Sequence, residues 1–349
     1  LQDIFSIVTA AKHIHQIEAD TNTAISQVKD WLNSAHLDLA EHKTEAVLIS
    51  SRKKVESMVV RIGGQVITSK TSLKYLGVIL DNRLNFKMHV TYASEKAAGV
   101  QASLARILPN IGGPKPARRR LLASVVSSII LYAAPVWADA LRIKSTRRKL
   151  MSTYRLSALR TISGFRTVST DAACVLAGMI PIDILTNEMK RIFSRSSNNK
   201  NNVADISKEE RASSINTWQA RWTVAEKGRW TYHLIPNVPE WLERRHGEVD
   251  YFLTQFLTGH GCFRKYLHRF GHDSSPLCPS CAEEEDAAHV FFQCTRFRME
   301  VFSTSQSQNI IRYMFQTEEK WNEIRLLVTK VLLELRKFER RRYSENNAH

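Results

Sequence analysis

The sequence predicts an α+β chain: a small sheet with a helix packed on it, then a mostly helical body that carries a zinc knuckle near its end. Three observations predict this. Short apolar runs with period-two alternation, broken by a Gly-Gly turn, fill the first ninety residues. Apolar steps of three and four residues dominate after Asn85. Cys278, Cys281, His289 and Cys294 then stand at spacings that suit one tetrahedral ion.

Ile4 to Val8 is apolar and reads as a first strand, with Asp3 at its start. From Ile17 to Ala35 the residues Ile17, Ala24, Ile25, Val28, Trp31, Leu32 and Ala35 form the stripe of an amphipathic helix. Leu37 and Leu39 alternate with Asp38, and Ala46 to Ile49 is a short apolar run, so both read as strands with Lys43-Thr44-Glu45 between them. Val59 to Ile62, Gly63-Gly64 and Gln65 to Ile67 read as a hairpin, because glycine supplies the positive φ that a tight turn requires. A further strand is expected over Tyr75 to Leu80. Ala97, Val100, Leu104 and Ile107 then mark a helix that ends at Pro109 and the Gly112-Gly113-Pro114 breaker. Ser194 to Asn202, polar and Asn-rich, reads as a linker. Trp218, Trp222 and Ala225 restart a helical face, and Trp321 to Phe338 form a last amphipathic helix with the basic tail Arg340-Arg341-Arg342.

A hydrophobic content of 43% and a charged content of 24% exclude a disordered or collagenous protein. Fifty Lys and Arg against 34 Asp and Glu leave a net charge of +16, which points to an anionic partner, nucleic acid first. Five cysteines are too few for a disulfide-stapled scaffold, so a reducing, intracellular location, nuclear or cytoplasmic, is expected. Leu121 to Ala138 is the one membrane-like stretch. Its three serines and Pro135 favour a fully buried helix of a soluble core, and no membrane partner is expected.

Cys278-x2-Cys281 is the knuckle geometry by which two thiolates grip one zinc, and His289 and Cys294 complete a set of four. All four positions would then be filled by protein, which makes the ion structural and not catalytic. His260, Cys262, His268 and His272 are alternative donors, so the fourth ligand stays open at this point. Glu283, Glu284 and Glu285 argue against phosphate contact by the knuckle loop itself. The clusters Arg52-Lys53-Lys54, Arg118-Arg119-Arg120, Arg147-Arg148-Lys149 and Arg340-Arg341-Arg342 suit phosphate contacts in sum. Asp3 has no second acidic residue beside it, whereas two-metal chemistry needs converging carboxylates.

The order of segments resembles the C-terminal half of a non-LTR (LINE-type) retrotransposon reverse transcriptase. The marks are Asp3-Ile4, Val28-Lys29-Asp30-Trp31-Leu32, Leu37 to Glu45 with Lys43-Thr44-Glu45, and Leu73 to Asp81 with Tyr75-Leu76-Gly77. Gly228-Arg229-Trp230, Gly259 to Phe263 and the knuckle are similar to the tail of the arthropod group that inserts into ribosomal RNA genes. The resemblance implies a remnant palm over residues 1–90, a helical thumb or connection over 91–193, a linker at 194–202, and a helical C-terminal region over 203–349 with the knuckle at 277–296.

It also implies site residues. Asp3 matches the second aspartate of the catalytic box, with Gln2 where the first belongs. Lys43 matches the lysine that protonates departing pyrophosphate, and Leu76 and Gly77 match the primer grip. Arg118, Arg119 and Arg120 are candidate nucleic-acid contacts. The parent would take RNA template, DNA primer or target DNA, deoxynucleotides and magnesium. The earlier palm aspartate, the fingers and the endonuclease of such a parent would lie upstream of residue 1, so this chain is expected to be inactive alone. Rival readings are a zinc-stabilised nucleic-acid-binding module without enzymatic activity, and an inert degenerate copy.

Overall fold

The computed structural model describes residues 5–53, 56–198, 202–297 and 307–346. The chain divides into two compact units, Leu1–Tyr92 and Ala93–His349.

In the first unit α1 (Ile14–Ser34) packs on an antiparallel hairpin of β1 (Val59–Ile62) and β2 (Gln65–Thr68). Ile25 from the helix meets Leu48, Met58, Val60 and Ile62, with Ile14, Ile17 and Ile67 at the margin. The helix also caps the free edge of β1: Glu18 Oε1 accepts from the Val59 amide at 2.7 Å and Asn22 Oδ1 from the Arg61 amide at 2.9 Å. Edge amides satisfied this way cannot recruit another strand. Gly63 at the turn has φ +55, a left-handed conformation that favours glycine, and a Cβ there would displace the Glu41 carboxylate that lies 2.4 Å away.

Several strand expectations are corrected. A second hairpin, β3 (Ser72–Tyr75) and β4 (Val78–Asp81), replaces the single strand expected over Tyr75 to Leu80, and it forms a separate two-stranded sheet. Leu76 and Gly77 turn the chain with φ of 44° and 84°. The alternating pattern ran through the turn because Leu-Gly lacks the Asn-Gly signature of such turns. Residues 37–40 are irregular, Glu41–Lys43 form a 3-10 turn, and Val47 makes one isolated parallel bridge to Lys70 in place of a strand. Residues 5–8 form no strand, with Phe5 resting edge-on against Trp31. Asp3 and Gln2 lie outside the described residues.

After the turn at Arg83, buried Asp81 accepts three backbone amides, from Arg83, Asn85 and Phe86, and so fixes the entry to α2 (Lys87–Ala105). The second unit is helical: α3 (Pro116–Leu131), α4 (Ala134–Trp137), α5 (Lys144–Thr161), α6 (Thr170–Ala177), α7 (Ile182–Asn198) and α8 (Val203–Thr223). Shorter helices follow, α9 (Arg229–Leu234), α10 (Val238–Glu243), α11 (Tyr251–Thr258), α12 (Arg264–Arg269) and α13 (Ala287–Phe292), then α14 (Ser307–Gln316) and α15 (Glu318–Asn346). Trp137, Trp218, Trp222, Trp241 and Trp321 are fully buried and anchor this core.

Leu121 to Ala138 is not one buried helix. The chain breaks at Ala133, whose φ is +51, and Leu121, Val125, Tyr132 and Val136 face solvent. Among the described residues no single helix is long and apolar enough to cross a membrane. Helix α7 continues to Asn198, so the start of the expected linker is helical; residues 199–201 lie outside the described set. Helices α7 and α8 pack along one another, cross-linked by Arg221 with Asp183, Arg211 with Glu188, and Arg191 and Arg195 with Glu210.

Candidate functional site

Of the sequence-predicted donors, the structure brings together Cys278, Cys281, His289 and Cys294, whose ligand atoms all lie within 4.8 Å of one another. Cys278 and Cys294 Sγ are 3.8 Å apart, and Cys281 and Cys294 Sγ 3.9 Å. Sulfurs bound to one tetrahedral zinc at ~2.3 Å are necessarily ~3.8 Å apart. These separations are far too long for a disulfide and match the edge of that tetrahedron. Both ring nitrogens of His289 are buried without a hydrogen-bond partner, a costly arrangement that an ion on one of them would relieve. The donor set therefore fits a soft, tetrahedral metal ion.

Local sequence builds the site. Ala282, at φ +57, turns the chain back after Cys281, while Cys278 accepts its amide and donates to the Glu283 carbonyl. Asp286 Oδ1 accepts the His289 amide at 3.0 Å, capping α13 and aiming the imidazole inward. Phe291 on the same helix packs edge-to-face on Phe256 at 4.6 Å, tying the cluster to the helical core. The Thr295 hydroxyl, then its backbone, hold the Cys281 thiol down to about 6, whereas burial raises that of Cys294. Thiolate is the form that binds metal.

Around the cluster lie residues that the sequence did not single out as partners. Arg296 donates to Cys278 Sγ at 3.2 Å and to Cys294 Sγ at 3.4 Å, and it pairs with Glu285. Glu285 is buried and also accepts the Arg264 amide, so it belongs to the frame of the knuckle and not to a repulsive surface loop. Nothing in the sequence separates it from its exposed neighbours Glu283 and Glu284. The alternative donors stay apart: His260 Nδ1 meets the Thr258 carbonyl, and His268 Nδ1 the Asp273 carbonyl.

The other candidates fall elsewhere. Lys43 is exposed on the 3-10 turn that the Lys29–Glu41 ion pair, 2.8 Å, holds near α1. Leu76, exposed, and Gly77, half-buried, form the tip of the second hairpin. Arg118 and Arg120 face solvent, but Arg119 is a correction. It is buried, and its guanidinium donates to the carbonyls of Pro114 at 2.9 Å, Arg160 at 3.1 Å and Pro109. Those donors are spent on the protein's own backbone, so Arg119 is withdrawn from the basic surface. The signal was there to read: Arg119, Ala123, Val126 and Ile130 recur at the helical period that buries one face of α3. Among the described residues no group of three or more carboxylates gathers for a pair of metal ions; the Cys/His cluster is the one such candidate set.

The chain is 31% identical over 288 residues to the 115 kDa protein in type-1 retrotransposable element R1DM of Drosophila melanogaster, covering 77% of this chain and 28% of that protein. It is 26% identical over 307 residues to the retrovirus-related Pol polyprotein from type-1 retrotransposable element R1 of Bradysia coprophila, covering 83% and 30%. Over 315 residues it is 26% identical to the corresponding Pol polyprotein R1 2 of Nasonia vitripennis, covering 84% and 77%. The chain thus spans less than a third of the first two relatives. No family model matches it, and no solved structure matches it.

Proposed function

We propose that the chain, similar over about four fifths of its length to proteins of type-1 retrotransposable elements R1, is the C-terminal portion of an RNA-directed DNA polymerase of that non-LTR type, acting on RNA template and DNA primer or target through phosphate contacts. The observation that carries this reading is the relationship, along about four fifths of the chain, to proteins named as Pol polyproteins. The net charge of +16 supports the partner class. In this reading residues 1–90 derive from the palm and 91–193 from the thumb. Leu76-Gly77 offers a backbone turn to the primer, and Lys43 offers an ammonium to the departing pyrophosphate. The ion at Cys278, Cys281, His289 and Cys294 is zinc, which supplies folding stability and no chemistry.

The chain alone is proposed not to polymerise. The resemblance places Gln2 at one aspartate position, and two-metal transfer needs more than one carboxylate. The test has two arms. Binding to an RNA–DNA hybrid should be measurable at low salt, with log K falling linearly against log salt. Primer extension with magnesium and four deoxynucleotides should stay at the no-protein level. Absence of binding at low salt overturns the nucleic-acid reading, and extension abolished by Asp3→Ala overturns the claim of inactivity.

A further inference from the structure

In the second unit one cluster of aromatic residues joined by ring contacts reaches the surface. Phe165, between α5 and α6, meets Tyr266 of α12 at a ring-centroid distance of 6.2 Å, and Tyr266 meets Phe270, which ends that helix, at 5.0 Å. The Tyr266 hydroxyl hydrogen-bonds Thr167 Oγ1 at 2.7 Å, which fixes the ring between the two segments. His260 packs against the same ring at 5.1 Å. Phe165 and Tyr266 are half-buried, and Phe270 is 42% exposed. Phe256, Phe263 and Phe291 are by contrast fully covered.

Exposed basic residues border the patch. Arg166, His268, Arg269 and His272 are exposed, and among the described residues neither Arg166 nor Arg269 is ion-paired. The Arg269 guanidinium sits 5.6 Å from the centre of the Phe270 ring. Asp273, the acidic residue in this stretch, is already held by Arg264 at 2.9 Å. Tethered, partly exposed rings beside arginines that make no ion pair among the described residues suit unpaired bases and their phosphates together: every base presents a π-face, and the cations follow the backbone. In a duplex the base faces are covered by their neighbours and are not offered to such rings.

We infer that the patch of Phe165, Tyr266 and Phe270, bordered by Arg166 and Arg269, is a stacking surface for the bases of a single-stranded nucleic acid. It rests on the nucleic-acid reading above and assigns that reading a place and a mode of contact.

The experiment is anisotropy titration of a labelled thymidine oligonucleotide with the full chain, beside an abasic strand of equal length. Phe270→Ala should weaken binding of the base-bearing strand about tenfold, leave the abasic strand unchanged and leave the salt slope unchanged. Phe270→Trp should restore the affinity, which a merely structural role for the ring would not explain. Arg269→Ala should weaken both strands and lower the salt slope by about 0.7, one phosphate's share for a single strand. If the parent chain binds but Phe270→Ala and Tyr266→Leu bind both strands as it does, the stacking surface is wrong while the nucleic-acid reading stands. If the parent chain binds neither strand at low salt, both fall.

Discussion

The knuckle and the first unit present their candidate groups in opposite ways. Cys278, Cys281, His289 and Cys294 converge from a loop, a helix and the turn after it onto one buried point, with two unsatisfied imidazole nitrogens as the residue of something needed there. Lys43, Leu76 and Gly77 stand on turns near the surface, and no group of three or more metal-ligating side chains gathers beside them among the described residues. A metal-binding set has to be complete within a few ångströms, whereas residues that touch a long polymer can be spread along it. The difference teaches that geometry within the chain can test the first kind of site and only a bound partner can test the second.

The strongest way to break this comparison is to remove a ligand. The segment 277–296 buries few large apolar side chains apart from Val290 and Phe291, too little to offset ordering entropy of ~1 to 2 kcal/mol per residue. Metal ligation in small zinc units contributes on the order of 10 kcal/mol. Cys281→Ser should therefore lower zinc content by metal analysis and raise amide exchange throughout 277–296, while Leu1–Tyr92 exchanges as before. Zinc retained in full by a Cys278→Ser, Cys281→Ser double variant would sink the assignment.

A smaller effect separates three adjacent arginines. Arg119→Ala leaves the carbonyls of Pro109, Pro114 and Arg160 without their donor in part-buried bonds, and bonds to a charged donor each contribute about 1.5 to 3 kcal/mol. Loss of about 2 to 3 kcal/mol is expected in urea unfolding followed by tryptophan fluorescence. Arg118→Ala with Arg120→Ala should change stability by less than about 0.5 kcal/mol, since both are exposed, yet reduce the salt slope of duplex binding by about 2. The opposite pattern, with affinity lost in Arg119→Ala and stability untouched, would return that residue to the surface.

How far these features were legible follows from what each depended on. The knuckle was readable because its donors lie within residues 278–294, where spacing constrains geometry. The first hairpin was readable because Gly63-Gly64 announces its turn. The second was missed because Leu73 to Leu80 keeps an apolar character straight through Leu76-Gly77, and composition does not report φ. Arg119 was misjudged because a triplet of identical residues was read as a patch, when the helix period of α3 assigns its three members to different faces. The frame of Arg296 and Glu285 depends on tertiary contact between α12 and the knuckle, and no local pattern encodes it.

The smallest predicted effect bears on that missed turn. Leu76 holds φ +44, a left-handed conformation that costs an ordinary side chain ~1 to 2 kcal/mol and costs asparagine less. Leu76→Asn should thus stabilise the hairpin by about 1 kcal/mol, seen as slower amide exchange of β3 and β4, and Gly77→Ala, at φ +84, should destabilise it by a similar amount. Strain of this size persists where something other than stability retains it. If Leu76→Asn tightens the hairpin and weakens primer–template binding, the leucine is kept for the primer, as proposed for this tip. If it tightens the hairpin and leaves binding unchanged, the primer contact does not run through Leu76. An unchanged or faster exchange would mean that the leucine side chain itself holds the turn, and the strain argument would be withdrawn for this position.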